Sequence, residues 1–346
     1  MGSKGCNPWW GSGVIPPTLL SLEAEAWTRV TQVPASALNY PHRDVALATA
    51  DALDWLEALP ADTLHGIVTD PPYGLLEYQK KDHDKLRRGQ GGVWRIPPTL
   101  DGVKRAPLPR FTVLNGQDRK RLETFFRDFA ALAWRGLVPG GHLMIASNPL
   151  LSTITFACFE HAGFEKRGEI IRLVQTLRGG DRPKGSEHAF RDVTVMPRSG
   201  WEPWGLFRKP LSEKTVAANL RRWGTGGLRR LSATEPFRDV IPSAPTHAAE
   251  REIAPHPSLK PQRFMRQLAR AVLPLGLGVL YDPFAGGGST LAAAARVGLK
   301  AIGTERDPDY VALACRAIPQ LYALHGEEDA EDAKGSAYNG KSTSKV

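Results

Sequence analysis

The stretch GVLYDPFAGGGSTLAAAARVGLKAIGTE, residues 278–305, decides the architecture. GVLYD and AIGTE are short apolar runs of strand length. Between them Gly286, Gly287 and Gly288 open an apolar helix over Ser289–Val297, which Gly298 closes. Strand, glycine turn, helix, strand and terminal acid form the nucleotide-binding half of a doubly wound, mostly parallel α/β sheet. Lacking Cβ atoms, the glycines let the backbone approach a ligand, and the helix start offers N–H groups without intrahelical partners. Glu305 ends the second strand 17 residues after Gly288, close to the spacing at which an acid takes two ribose hydroxyls. A purely structural turn beside a charged strand end has the same composition, so these residues alone leave the ligand open.

A second α/β region lies upstream. A short helix over Leu53–Leu59 precedes a buried strand at Gly66–Thr69, which runs straight into Asp70-Pro71-Pro72-Tyr73. The prolines stiffen this turn and remove donors, leaving the Asp70 carboxylate and the Pro71 carbonyl as acceptors. Two acceptors suit a planar exocyclic amino group, and Tyr73 offers a flat face for stacking a base. A proline-rich turn with an exposed tyrosine is the plainer reading of the same four residues. A polar stretch from Glu77 to Asn115 follows, too long for an ordinary connection. Within it Lys80–Gly92 is either a lid that orders on a substrate or a simple insertion.

Beyond it, Leu122, Phe125, Phe126, Phe129, Leu132 and Ala133 give a helix over about 118–137 an apolar face. Pro139–Gly141 is expected to end that helix before a buried strand, HLMIAS. A helix over Ser152–His161 and a strand over Glu169–Val174 complete this half. A further helix face is marked by Phe264, Met265, Leu268 and Val272, and a last helix covers Tyr310–Ile318.

The chain of 346 residues is 42% hydrophobic and 23% charged, which excludes wholesale disorder and fibrous repeats. No apolar run reaches the roughly 20 residues of a membrane helix, and the first residues lack an apolar secretory core. Cys6, Cys158 and Cys315 are dispersed and odd in number, which fits a reducing compartment. His83, His142 and His188 are isolated, so no metal site is assigned. The net charge of +9 points to a polyanionic partner, and composition alone fits a nucleic acid or a membrane surface equally. Residues 166–230 carry 15 Lys and Arg against 6 Asp and Glu, an excess equal to that of the whole chain. Arg178, Arg182, Lys184, Arg221, Arg222, Arg229 and Arg230 belong to this cluster and are either a solvated basic face or, if the partner is a nucleic acid, candidates for phosphate or guanine contacts. The interleaved Trp201, Trp204 and Trp223 read better as core.

The pairing of DPPY with DPFAGGGST resembles the S-adenosylmethionine-dependent DNA amino-methyltransferases. Their catalytic motif resembles Asp70–Tyr73, and their cofactor motif, commonly written DPFxGSGTT, resembles Asp282–Thr290. The order found here, catalytic motif first, is that of the family's beta class. Gly287 and Ser289 stand where the family often has Ser and Thr, and Ala50 where it has Gly. HPSLKPQRF, residues 256–264, is similar to the segment that seats the methionine end of the cofactor.

The resemblance implies that Asp70, Pro71, Pro72 and Tyr73 are catalytic. It implies that Asp51, Asp70, Lys260, Pro261, Asp282, Phe284, Gly286, Gly288, Ser289, Thr290 and Glu305 bind S-adenosyl-L-methionine. It also places target recognition in the region between the motifs. The expected division is an irregular arm 1–43, a catalytic half 44–174 containing the loop 77–115, a recognition region 175–255, a cofactor half 256–325 and a disordered tail 326–346. The implied activity is N6 methylation of a flipped adenine in double-stranded DNA by a cytoplasmic enzyme of bacterial, archaeal or phage origin. N4-cytosine methylation, RNA amino-methylation and an inactive DNA-binding relative stay open as alternatives. Whether a cognate restriction endonuclease or a second copy of the chain accompanies it is also open. The cysteines follow Gly, Ala and Ala, so the Pro-Cys nucleophile needed for methylation at cytosine C5 is missing.

Overall fold

In the computed structural model the described residues are 17–72, 99–100, 103–104, 116–174, 180, 182–183, 185–256 and 258–324. The elements, in order, are α1 (Pro17–Thr31), β1 (Ala37–His42), β2 (Val45–Thr49), α2 (Ala52–Ala58) and β3 (Leu64–Thr69). A two-stranded ribbon follows, β4 (Thr99–Leu100) and β5 (Val103–Lys104). Then come α3 (Gly116–Gly136), β6 (Leu137–Ala146), α4 (Ser152–His161), β7 (Glu165–Leu173) and β8 (Trp201–Arg208). The chain continues through α5 (Val216–Trp223), β9 (Val240–Pro242), α6 (Ala248–Ile253) and α7 (Gln262–Val272). It closes with β10 (Val279–Asp282), α8 (Ser289–Arg296), β11 (Lys300–Glu305) and α9 (Pro308–Ala323).

Nine strands form one sheet in the order β1-β2-β11-β10-β3-β6-β8-β7-β9. Its centre, β2-β11-β10-β3-β6, is parallel, while β1 and β8 join antiparallel to their inner neighbours. Alternate residues of each central strand enter opposite cores. Val68 and Leu280 pack with Phe264, Leu268, Leu291 and Ile318 on one face. Ile67, Val279 and Tyr281 pack with Trp55, Phe126, Phe129 and Phe159 on the other. With helices on both faces, the sheet is the doubly wound α/β sheet expected from the motifs.

The structure departs from the sequence reading at several elements. The arm read as irregular contains α1 and β1. The buried stripe of α1 is only Leu19, Ala26 and Val30, too sparse to stand out as a period. The helix expected to run to Pro139–Gly141 ends at Gly136, and the Pro-Gly-Gly triplet lies inside β6. There Gly140 has φ +79°, and a Cβ would sit 2.4 Å from Asn219 Nδ2, so glycine is required by the close approach of α5. The stretch read as a separate recognition region contributes β8 and β9 to the central sheet. Trp204 is fully buried there, as expected of core, whereas Trp201 is exposed. The tail 326–346 and nearly all of the loop 77–115 fall outside the described residues.

Candidate active site

Two loops separated by more than 200 residues meet at the C-terminal ends of neighbouring strands. Leu280 pairs with Gly66 and Tyr281 with Ile67, so Asp70 and the glycine turn emerge side by side. This is where the strand order reverses, the crevice in which open α/β sheets bind ligands. The junction is latched by a buried hydrogen bond in which Thr69 Oγ1 donates to Asp282 Oδ1 at 2.7 Å. Phe284 N–H donates to the same oxygen at 3.2 Å. Burial raises the Asp282 pKa to about 6, against the hydrogen bonds from Thr290, Thr69 and Phe284 that lower it.

The glycine turn is shaped from both sides. Gly286 (φ +49°) donates its N–H to Glu305 Oε2 at 3.0 Å, and Glu305 Oε1 accepts from Asp307 N–H at 2.9 Å. Burial raises the Glu305 pKa above the usual carboxylate value, with these backbone donors opposing it. Gly288 (φ +83°) starts α8, and a Cβ on it would lie 2.5 Å from Ile318 Cγ1. Ala50 N–H donates to Glu305 O at 3.1 Å, which brings Asp51 beside Glu305. Asp51 caps α2, its Oδ1 accepting from Leu53 N–H at 2.8 Å. Phe284 packs edge-on against Phe129 and tilted against Phe125, with ring centres 5.6 and 6.0 Å apart. A cavity of about 510 Å³ opens at Phe125, lined also by Leu53, Gln117, Lys120, Arg121, Thr124 and Asp128.

Asp70 sits in a polar cluster. Its Oδ2 accepts from Lys260 Nζ at 2.5 Å and from Ser258 Oγ at 2.6 Å. Lys260 also lies 3.5 Å from Glu202 Oε1. The carbonyl of Lys260 accepts from Ser289 Oγ at 3.1 Å, which ties its loop to the start of α8. Ser289 and Thr290 are buried at that helix start. His256 packs its ring on the turn, where a Cβ on Gly286 would be 3.0 Å from it, and lies edge-on to Tyr310. Burial lowers the His256 pKa to about 4; Asp70 pulls it up and Lys260 pushes it down. Pro71 is buried and Pro72 exposed, and neither has an N–H to compete with their carbonyls.

The structure thus brings together Asp51, Asp70, Pro71, Pro72, Lys260, Pro261, Asp282, Phe284, Gly286, Gly288, Ser289, Thr290 and Glu305. Tyr73, Arg178 and Lys184 lie outside the described residues. The basic residues divide. The segment between β7 and β8 leaves and returns at the Asp70 end of the sheet, since Leu173 pairs with Trp201 and Ala146 with Trp204. Arg182 is exposed on this segment, its Nε donating to Arg191 O at 2.9 Å. β8 then carries the chain to the opposite end. Arg221 and Arg222 are on α5, where Asn219 Nδ2 donates to Pro139 O at 2.9 Å. Pro139 is six residues before Ile145, the partner of Thr69, which is about 20 Å of strand rise. Arg229 N–H donates to Ala271 O at the far end of α7, and Arg230 follows. β8 therefore separates these four arginines from Arg182, which stays at the Asp70 end of the sheet. Proximity in sequence was undone by an antiparallel strand.

Thr69, Ser258 and His256 were not singled out, although Thr69 adjoins the Asp70 motif and the other two lie within the quoted segment 256–264. Glu202 and Arg172 had no local signal.

With this geometry established, comparison with known proteins adds the family. A family model described as DNA methylase, of the N6/N4 type, matches residues 64–316. The chain belongs to the N6/N4 DNA methylase family. It is 25% identical over 287 residues to the Type II methyltransferase M.HindIII of Haemophilus influenzae, covering 75% of this chain and 90% of that one. In fold it is similar to TTHA0409 of Thermus thermophilus, crystallised with S-adenosyl-L-methionine. The identity is 21%, the TM-score 0.50, and the match covers 81% of this chain and 95% of that one. It is also similar in fold to the PvuII DNA methyltransferase, which is cytosine-N4-specific, at 14% identity and TM-score 0.51 over 84% and 90% of the two chains.

Proposed function

We propose that this DNA methyltransferase transfers a methyl group from S-adenosyl-L-methionine to N6 of an adenine flipped out of duplex DNA. The observation that carries the reading is the adjacency of the Asp70 turn and the glycine turn at one sheet end, latched by Thr69 and Asp282. The residues present fit the cofactor. Glu305 and Asp51 lie together at neighbouring strand ends, where ribose hydroxyls need acceptors. Phe284, Phe125 and Leu53 offer apolar surface for a base beside the cavity, and the three glycines put no side chain in the way.

When bound, S-adenosyl-L-methionine supplies an electrophilic methyl group on a sulfonium. Asp70 and the Pro71 carbonyl each accept one hydrogen of the target amine, which turns the nitrogen lone pair toward the methyl. The cofactor would supply the methyl carbon and keep the sulfur–carbon electron pair, and the methylated amine would give one proton to water. The Asp70 carboxylate offsets the positive charge that develops on nitrogen. Tyr73 stacks on the flipped base and offsets part of the unstacking cost, a few kcal/mol. DNA approaches along the segment joining β7 to β8. There the exposed Arg182, Arg191 and Arg198 share the segment with the exposed Phe190, Val193 and Val195.

The test uses genomic DNA from cells expressing the wild type or Asp70→Ala, digested to nucleosides and quantified by mass spectrometry. Additional N6-methyladenine with the wild type alone supports the reading. Additional N4-methylcytosine instead replaces adenine by cytosine. Methylation by Asp70→Ala at the wild-type level overturns the mechanism.

A further inference from the structure

We propose that Glu202, on β8 and outside both motifs, is a positioning residue for methyl transfer. It holds Lys260, and Lys260 holds the Asp70 carboxylate in orientation. The inference rests on the reading of Asp70 as an acceptor of the target amine.

Four side chains of alternating charge run inward from the site. Asp70 bonds Lys260 at 2.5 Å, Lys260 lies 3.5 Å from Glu202, and Arg172 Nη1 donates to Glu202 Oε2 at 3.2 Å. Their side-chain exposures are 12%, 10%, 18% and 6%, so each charge depends on its neighbours more than on water. Beyond Arg172 the chain is anchored. Arg172 Nε donates to Ser243 Oγ at 3.0 Å and Nη2 to Ala244 O at 3.1 Å, and its guanidinium lies 5.2 Å from the centre of the Phe264 ring. Glu202 is fixed from a second side, its Oε1 accepting from the indole N–H of the fully buried Trp204 at 2.9 Å. Arg172 and Glu202 are also direct cross-strand partners on β7 and β8.

A lysine on its own is a poor locator, because its four-carbon stem retains many rotamers. Two carboxylates on either side of the ammonium restrict it, and the one belonging to the core sets where it stands. Lys260 can therefore transmit the position of β8 to Asp70. Stability gives little reason for the arrangement, since buried ion pairs cost desolvation that well-packed apolar residues avoid. Its placement against the reacting carboxylate gives a functional reason. Methyl transfer requires the amine, and so its acceptor, to be held to within a fraction of an ångström.

Glu202→Gln keeps the size of the side chain and an oxygen for Trp204, and removes the charge. Single-turnover methyl transfer, cofactor affinity, DNA affinity and thermal unfolding are measured on the purified full chain. Transfer is expected to slow by on the order of 10- to 100-fold, with both affinities within about 3-fold of wild type and folding intact. The double variant Glu202→Gln, Lys260→Met is expected to transfer at the rate of Lys260→Met alone, because Glu202 acts through Lys260. A Glu202→Gln rate within about twofold of wild type, or losses that multiply in the double variant, overturns the proposal. Should Glu202→Gln not fold, Glu202→Asp, which withdraws the charge by one methylene, is expected to slow transfer with both affinities kept. An unchanged rate overturns the proposal there too. Asp70→Ala measured alongside separates the two readings. If it is active, the role of Asp70 falls; if it is inactive while Glu202→Gln is normal, only Glu202 falls.

Discussion

Asp282→Asn isolates the energetic cost of the latch beneath the site. Asp282 is completely buried between β3 and the glycine turn, and burial lifts its pKa from 3.8 to about 6. That difference corresponds to about 3 kcal/mol between the two protonation states. The folded chain keeps this proton up to about pH 6, while the unfolded chain releases it near pH 4. Between those values the folded state binds more protons, so the Asp282 contribution to stability falls as pH rises and levels off above pH 6. Asparagine keeps an oxygen for Thr69 Oγ1 and Phe284 N–H and has no charge to desolvate. At pH 8 the variant is expected to be more stable than wild type by about 1–3 kcal/mol, the lower figure allowing for an imperfectly placed amide N–H. At pH 5 the advantage is expected to be smaller by about 1 kcal/mol. Urea titrations of both proteins at pH 8 and pH 5, with unchanged slopes, give the two differences. A difference that stays constant with pH would refute the reasoning, because a purely steric or hydrogen-bonding effect has no such dependence.

Three further outcomes are expected. Gly288→Ala should cost about 2–4 kcal/mol, from the left-handed conformation and the overlap with Ile318 together, and a urea midpoint equal to wild type would contradict this. Glu305→Gln should weaken S-adenosyl-L-methionine binding about tenfold or more in calorimetry with little change in thermal midpoint, and an unaltered affinity would remove Glu305 from the ribose site. Arg182→Ala should reduce the salt slope of DNA binding by about one, whereas Arg221→Ala with Arg222→Ala should leave it unchanged. The opposite pattern would place the DNA at the other end of the sheet.

Local chemistry and periodicity announced much of this molecule. The strand, glycine turn, helix and acid of residues 278–305 are contiguous, and their spacing alone specified a doubly wound sheet. The Asp70 turn was equally legible because two prolines leave few conformations. α1 escaped notice because three buried residues in fifteen make a weak period. The β6 triplet Pro139–Gly141 was misread because a terminator is judged from its own residues, whereas Gly140 answers to Asn219, 79 residues later.

Sequence by itself therefore determined the fold class, the two motifs and most side chains of the site, each being a property of a short run of chain. Tertiary structure alone decided which distant charges share a surface. β8 runs antiparallel to β6, so it leaves Arg182 at the Asp70 end and carries the chain toward Arg221, Arg222, Arg229 and Arg230 at the opposite end. The same strand delivers Glu202 to Lys260. Electrostatic contacts depend on separation in space, and in a sheet that separation is set by strand direction and register, which no local pattern encodes.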